Sequence, residues 1–269
     1  MSKSKINHYA MSTSINQSER IEEALKMLKL TGILGTYNHL SQFANKKNST
    51  FHEYLESLLE KEILVKEDNR IQHWTQQAKF PFIKTLSDFD FSFQPSIKER
   101  DVKELASCRF IDEKHNVLFL GTSGVGKTHL ATAIGIEAIK RGYETKFSTL
   151  AELISLVQKA EKGEELQKHR LFRQLLNPRL LILDGMDFYN VDEKVSYFLF
   201  DLLLQRHEHS STIFTSNTHY SEWANLFTSK TRAVAVIDRI TQYSRIVYIK
   251  GKSYRLEYNL KHIQKSSPK

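Results

Sequence analysis

Apolar residues along this chain follow two different rhythms. Up to about residue 80 they recur at helical spacing. Ile21, Ala24, Leu25 and Leu28 share one face of a helix expected to start near Ser18. Leu55, Leu58, Leu59 and Ile63 form a stripe along a second helix. That helix opens on Thr50-Phe-His-Glu53, a capping box in which each end residue satisfies the other's backbone N–H. It is expected to run through Arg70 to Ala78 and to stop before Pro81. Gly32 and Gly35 interrupt the pattern between the two helices. From residue 116 onward, short apolar runs alternate with amphipathic stretches. Strands are expected at 116–120, 144–148, 179–184, 211–217 and 246–249, and helices over 129–139, 150–160 and 195–206. Strands separated by helices imply a parallel sheet with helices on both faces. Leu180-Leu-Ile-Leu183 is apolar enough to be buried on both sides.

Between the two rhythms lies Phe80 to Pro95, with five Phe. At that density the segment should pack rather than flex, and 96–110 then reads as a helix leading into the first strand. The expected organisation is a polar, disordered tail (1–15), a small helical domain (16–80), an aromatic connector (81–95), an α/β domain (96–255) and a basic tail (256–269).

Composition narrows the functional classes. Forty per cent hydrophobic and 26% charged residues is ordinary for a globular protein in water. No apolar run approaches the roughly 20 residues of a membrane helix, and Met1 to His8 is polar rather than signal-like. Cys108 is the one cysteine, so an internal disulfide is excluded, and no Cys/His cluster resembles a zinc site. A cytoplasmic protein without membrane contact is expected. The net charge of +8 suggests an anionic partner, or solubility alone. Lys250 to Lys269 holds six Lys and Arg against Glu257, the kind of basic end that often touches nucleic acid.

One segment carries specific chemistry. Gly121-Thr122-Ser123-Gly124-Val125-Gly126-Lys127-Thr128 fits G-x-x-x-x-G-K-[ST], and it sits between an expected strand and an expected helix. Glycines let backbone N–H groups turn around a phosphate, and the helix N-terminus adds its positive end. Lys127 is expected to reach the β- and γ-phosphates of ATP, and Thr128 to ligate Mg²⁺. Asp184 ends an apolar strand and is the candidate to complete the metal shell. Many such ATPases follow that Asp with a Glu that polarises the attacking water; here Gly185 stands there, and hydrolysis is expected to be weak or absent. Asp187 lies two residues on; it reads as a loop acid more readily than as a replacement. Asn217 ends the fourth strand and is the candidate to sense the γ-phosphate. Arg239, in an apolar helical setting, is the candidate to act on nucleotide from a neighbouring subunit. His207 and His209 stand two apart, so a helix would not turn them to one metal, and His129 reads as packed or solvated.

Together these motifs, with Ala78-Lys-Phe-Pro81, Lys84 to Phe91, Thr215-Ser-Asn217, Ile237-Asp-Arg239 and Lys250-Gly-Lys-Ser-Tyr-Arg255, resemble the IstB-like ATPases over nearly the whole chain. These are helper proteins of insertion-sequence transposition, related to the DnaC helicase loader. The resemblance implies an AAA+ P-loop NTPase core behind a helical domain. It also implies assembly into a homo-oligomer on duplex DNA and recruitment or stimulation of a partner transposase. A helicase loader of the DnaC type, and a nucleotide-binding remnant without turnover, are the alternatives. The chain departs from the family at Gly185, where a Glu is usual.

Overall fold

The computed structural model describes residues 16–187 and 191–257. The expected tail 1–15 and the basic tail from 258 onward lie outside the described residues. The chain divides into two compact units after Gln72.

The first unit is helical. Helix α1 (Gln17–Met27) opens on a capping box: Asn16 Oδ1 accepts from Glu19 N at 2.8 Å, and Asn16 N donates to Glu19 Oε2 at 3.0 Å. Where the sequence pattern breaks, the structure instead has two helices, α2 (Thr31–Leu34) and α3 (Tyr37–Lys47). Gly32 is a packing residue there, not a breaker: a Cβ on it would stand 2.8 Å from the Lys61 carbonyl oxygen. Helix α4 (Phe51–Ala78) spans the whole expected length and is opened by the Thr50–Glu53 box. The division between the units falls within this helix. Of the α4 stripe, Leu58 is buried with Ile33 and Tyr37. Leu55, Leu59 and Ile63 stay about half exposed (53%, 49% and 56%).

The second unit begins at His73, in the last turns of α4, and the connector that follows holds a short 3₁₀ turn at Leu86–Asp88. The single helix expected over 96–110 is two helices, α5 (Glu99–Ala106) and α6 (Arg109–Asp112), broken at Cys108, whose φ is +63°. Then follow β1 (Asn116–Gly121), α7 (Lys127–Lys140), β2 (Thr145–Thr149), α8 (Leu150–Glu161), α9 (Glu165–Leu176), β3 (Leu180–Asp184), α10 (Glu193–Arg206) and β4 (Ser211–Ser216). A 3₁₀ segment at Tyr220–Leu226, α11 (Lys230–Gln242) and β5 (Ser244–Ile249) complete it. Helix α9 has no counterpart in the sequence reading.

The five strands form one sheet in the order β2-β3-β4-β1-β5, every neighbouring pair parallel. Alternation along each strand sends successive side chains to opposite faces. Val117 and Phe119 pack with Val102, Ile111, Leu130 and Ile134, so α5, α6 and α7 cover one face. Leu118 and Leu120 pack with Leu153, Leu199, Leu202 and Val236, so α8, α10 and α11 cover the other. Arg206 is fully buried, and among the described residues no carboxylate pairs with it. It donates to the carbonyls of Leu175, Leu176, Pro178 and Ser211 and to Thr212 Oγ1, tying the end of α9 to the start of β4. Among the described residues, no helix is long and apolar enough to cross a membrane.

Candidate functional site

The strands of the sheet end together, and the loop between β1 and α7 sits at that end, beside the ends of β3 and β4. The 121–128 loop lines a cleft of about 370 Å³ there. Gly126 has φ +103°, and a Cβ on it would meet the Phe89 ring at 2.5 Å, so the loop tolerates no side chain at that point. A Cβ on Gly124 would collide with the Ser253 side chain, and Tyr254 N donates to the Gly124 carbonyl at 2.9 Å. The chain beyond β5 therefore closes over the loop from its far side. Helix α7 starts at Lys127, so its unpaired first-turn N–H groups and positive end lie at the loop.

Lys127 is buried, and its Nζ has three acceptors: Gly121 O and Thr122 O at 2.8 Å each and Asn217 Oδ1 at 2.7 Å. Burial holds its ammonium below the ordinary lysine range; the charges of Asp187 and Asp184 oppose that shift. Beside it, Thr128 Oγ1 donates to Asp184 Oδ1 at 2.7 Å, and so does Thr215 Oγ1. Gly185 N donates to Thr215 Oγ1 at 2.9 Å, which fastens the turn after β3 to β4.

These residues fit a nucleoside triphosphate with its metal. A loop with no room for side chains at Gly124 and Gly126, a helix N-terminus and a buried cation suit a polyphosphate. Thr128 and Asp184 bring two oxygen donors together, the ligand type a hard divalent cation takes. The structure thus brings together Gly121 to Thr128, Asp184 and Asn217. Arg239 stands apart, on the exposed face of α11 and not in the cleft lining. His129 is half-buried, its ring edge-on to Phe82 and Phe89 and its Nε2 2.9 Å from Thr85 O. Among the described residues no group of three or more His, Cys, Asp and Glu side chains is placed to hold a metal ion, at His207 and His209 or elsewhere.

Sequence reasoning overlooked two walls of the cleft. Phe82, Phe89 and Phe93 from the connector form one, with Phe93 edge-on to Tyr254 at 5.2 Å. The five-Phe density was the signal, but what it packs against could not be read from it. Arg255 belongs to the other wall and was given no role; Asp187, read from the sequence as a loop acid, lines the cleft beside it. Asp187 accepts from Asn217 N and from Asn217 Nδ2, each at 2.6 Å, so it is no free loop acid.

Residues 23–262 match the family described as IstB-like ATP binding protein. The chain is 39% identical over 238 residues to the "Insertion sequence IS5376 putative ATP-binding protein" of Geobacillus stearothermophilus, covering 88% of this chain and 94% of that one. It is 36% identical over 237 residues to the corresponding protein of insertion sequence IS21 from Pseudomonas aeruginosa, covering 88% and 89%. Among solved structures, DnaI superposes with a TM-score of 0.52 at 24% identity, over 62% of this chain and 90% of DnaI, a likeness of fold. The second unit has the AAA+ P-loop architecture: a five-stranded parallel sheet flanked by helices, with the glycine loop after β1. On the loop, the strand-end acid beside it and a match over most of its length, the chain belongs to the IstB-like ATP-binding protein family.

Proposed function

We propose that this protein is an ATP-binding, DNA-binding AAA+ regulator of transposition, which assembles as a homo-oligomer on duplex target DNA in the cytoplasm and recruits or stimulates a transposase. The observation that carries the reading is the junction of Lys127, Thr128 and Asp184 at the glycine loop, in a chain whose relatives are ATP-binding proteins of insertion sequences. Lys127 neutralises the β- and γ-phosphates. Thr128 and Asp184 hold Mg²⁺. Asn217 stands where the terminal phosphate is sensed. Arg239, exposed on α11, reaches the nucleotide of a neighbouring subunit, a role that needs the oligomer. Bound ATP with Mg²⁺ supplies a dense negative charge and a cleavable terminal phosphate bond. The net charge of +8 supports sequence-tolerant affinity for the phosphate backbone of DNA.

Turnover is expected to be slow. Gly185 offers no carboxylate to polarise water, and both oxygens of Asp187 are engaged by Asn217. ATP then acts mainly as a ligand that licenses assembly.

The test is sedimentation of the purified protein on duplex DNA with ATP, with ADP and without nucleotide, phosphate release being followed in parallel. Large assemblies only with ATP and duplex DNA, lost in Lys127→Ala, are expected. Assembly indifferent to nucleotide, or confined to single-stranded DNA, would overturn the reading in favour of a loader or an inactive remnant.

A further inference from the structure

Asn217 reaches Lys127 through one end of its amide and Asp187 through the other. Oδ1 accepts from Lys127 Nζ at 2.7 Å, and Nδ2 donates to Asp187 Oδ2 at 2.6 Å. The orientation of an amide is normally a matter of choice between two nearly identical shapes. Here the neighbours remove the choice. An ammonium only donates and a carboxylate only accepts, so a turned amide would set donor against donor at Lys127 and acceptor against acceptor at Asp187.

Asp187 is itself firmly set. Its other oxygen accepts from Asn217 N at 2.6 Å, and Ser216 Oγ beside it donates to the Met186 carbonyl at 2.9 Å. The preceding residue, Met186, is buried, and its N–H donates to Thr215 O at 2.7 Å, which carries the β3–β4 contact past the end of β3. Trp223 Nε1 donates to Ser216 Oγ at 3.2 Å, so the end of β4 is held from behind as well.

We propose that Asp187 is a positioning residue for the nucleotide site: it holds the Asn217 amide with its oxygen toward Lys127, so that Asn217 meets the cleft as a hydrogen-bond acceptor. Asn217 then takes a hydrogen bond from the Lys127 ammonium or from a water, and does not donate to a phosphate oxygen. The sensing expected of Asn217 runs through Lys127 and through an oriented water, and Asp187 sets its polarity. The inference rests on the nucleotide-binding reading of the cleft.

Asp187→Asn separates positioning from simple damage. The introduced amide keeps its oxygen for the Asn217 backbone N–H and turns its NH₂ to the Asn217 side chain, which must then reverse and present its NH₂ to the cleft. One negative charge is also removed beside the phosphate site. In D187N the triphosphate analogue AMP-PNP with Mg²⁺ is expected to bind about fivefold tighter, because a nearby charge repulsion goes and a donor is gained. ADP affinity should rise less, because ADP lacks the γ-phosphate and carries less charge, and the melting temperature without nucleotide should fall modestly, because the reversed amide sets a donor against the Lys127 ammonium. A second readout needs no nucleotide. In the full chain labelled with ¹⁵N-asparagine, the side-chain NH₂ pair absent in N217A should have one proton shifted downfield by its carboxylate partner, and D187N should remove that shift.

AMP-PNP binding that weakens in step with ADP in D187N would reduce Asp187 to a structural support and overturn the proposal. So would an Asn217 NH₂ pair with the same shifts in parent and variant. A protein that shows the amide signature but fails to assemble on DNA would overturn the transposition reading and leave this inference standing.

Discussion

The helical unit and the sheet unit are each held together by a different kind of interaction. In the first, Ile33, Tyr37 and Leu58 make up the buried apolar cluster, while Phe51, Leu55, Leu59 and Ile63 run exposed along α4 at i, i+4 spacing. Its helices are defined by short-range devices: the boxes at Asn16 and Thr50 and the left-handed Asn48 after α3. In the second, apolar layers cover both faces of a parallel sheet, and the strands that pair are distant in sequence. Val117 lies beside Ile213 and Arg245, for example. A unit built from local contacts tolerates the loss of most single side chains, whereas one built on long-range burial does not.

The largest contrast is expected from matched leucine truncations. Leu202→Ala removes a fully buried side chain of the sheet core and should cost about 2–5 kcal/mol of the second unit's stability. Leu59→Ala, on the half-exposed ridge of α4, should stay within about 0.5 kcal/mol. Denaturant unfolding followed for both variants measures the pair. A Leu59→Ala cost as large as that of Leu202→Ala would mean that the α4 ridge is covered in solution, and the contrast between the units would collapse.

A smaller effect should come from removing a local device. Thr50→Ala takes away the hydroxyl that accepts from Glu53 N and should cost roughly 1 kcal/mol, within the usual range for a lost helix cap. The loss should be confined to the first unit, which helical circular dichroism through the melt would report. Loss of nucleotide binding in Thr50→Ala would contradict a local role.

The smallest expected effect is one of pH, at the connector wall. Burial lowers the pKa of His129 from its ordinary value of 6.5, outweighing the Thr85 carbonyl that favours the charged ring. The folded second unit therefore binds this proton less readily than the unfolded chain does. The His129 contribution is complete above the ordinary histidine pKa and is lost as the pH falls through it toward the lowered value. Melting temperatures measured from pH 7.5 down to 5 should fall less in His129→Gln than in the parent. Equal slopes would show that the ring is solvated and that the Phe82 and Phe89 wall does not enclose it.

Much of this protein was legible in its sequence. Short apolar runs located the five strands and period-3.6 patterning most of the long helices, because each reports how a single element is buried. The glycine loop was legible because its chemistry lies in eight consecutive residues, Gly121 to Thr128. The full length of α4 was legible from its Thr50 box and from Pro81. Other features were invisible for one shared reason: they depend on partners far away in the chain. The break at Cys108 follows from how α5 and α6 turn onto the sheet. Arg206 looked like the polar end of a helix, yet it is buried against carbonyls from α9 and β4. The connector's Phe density announced packing, but only the fold set Phe89 against Gly126 and Phe93 against Tyr254. Asp187 is the sharpest case. Its residue type and position were plain, and its use was not, because that use is decided by the end of β4 thirty residues later. Residue identity and local spacing determined that a phosphate-binding loop exists; tertiary contact alone decided what surrounds it, because hydrogen bonds and burial depend on proximity in space rather than along the chain.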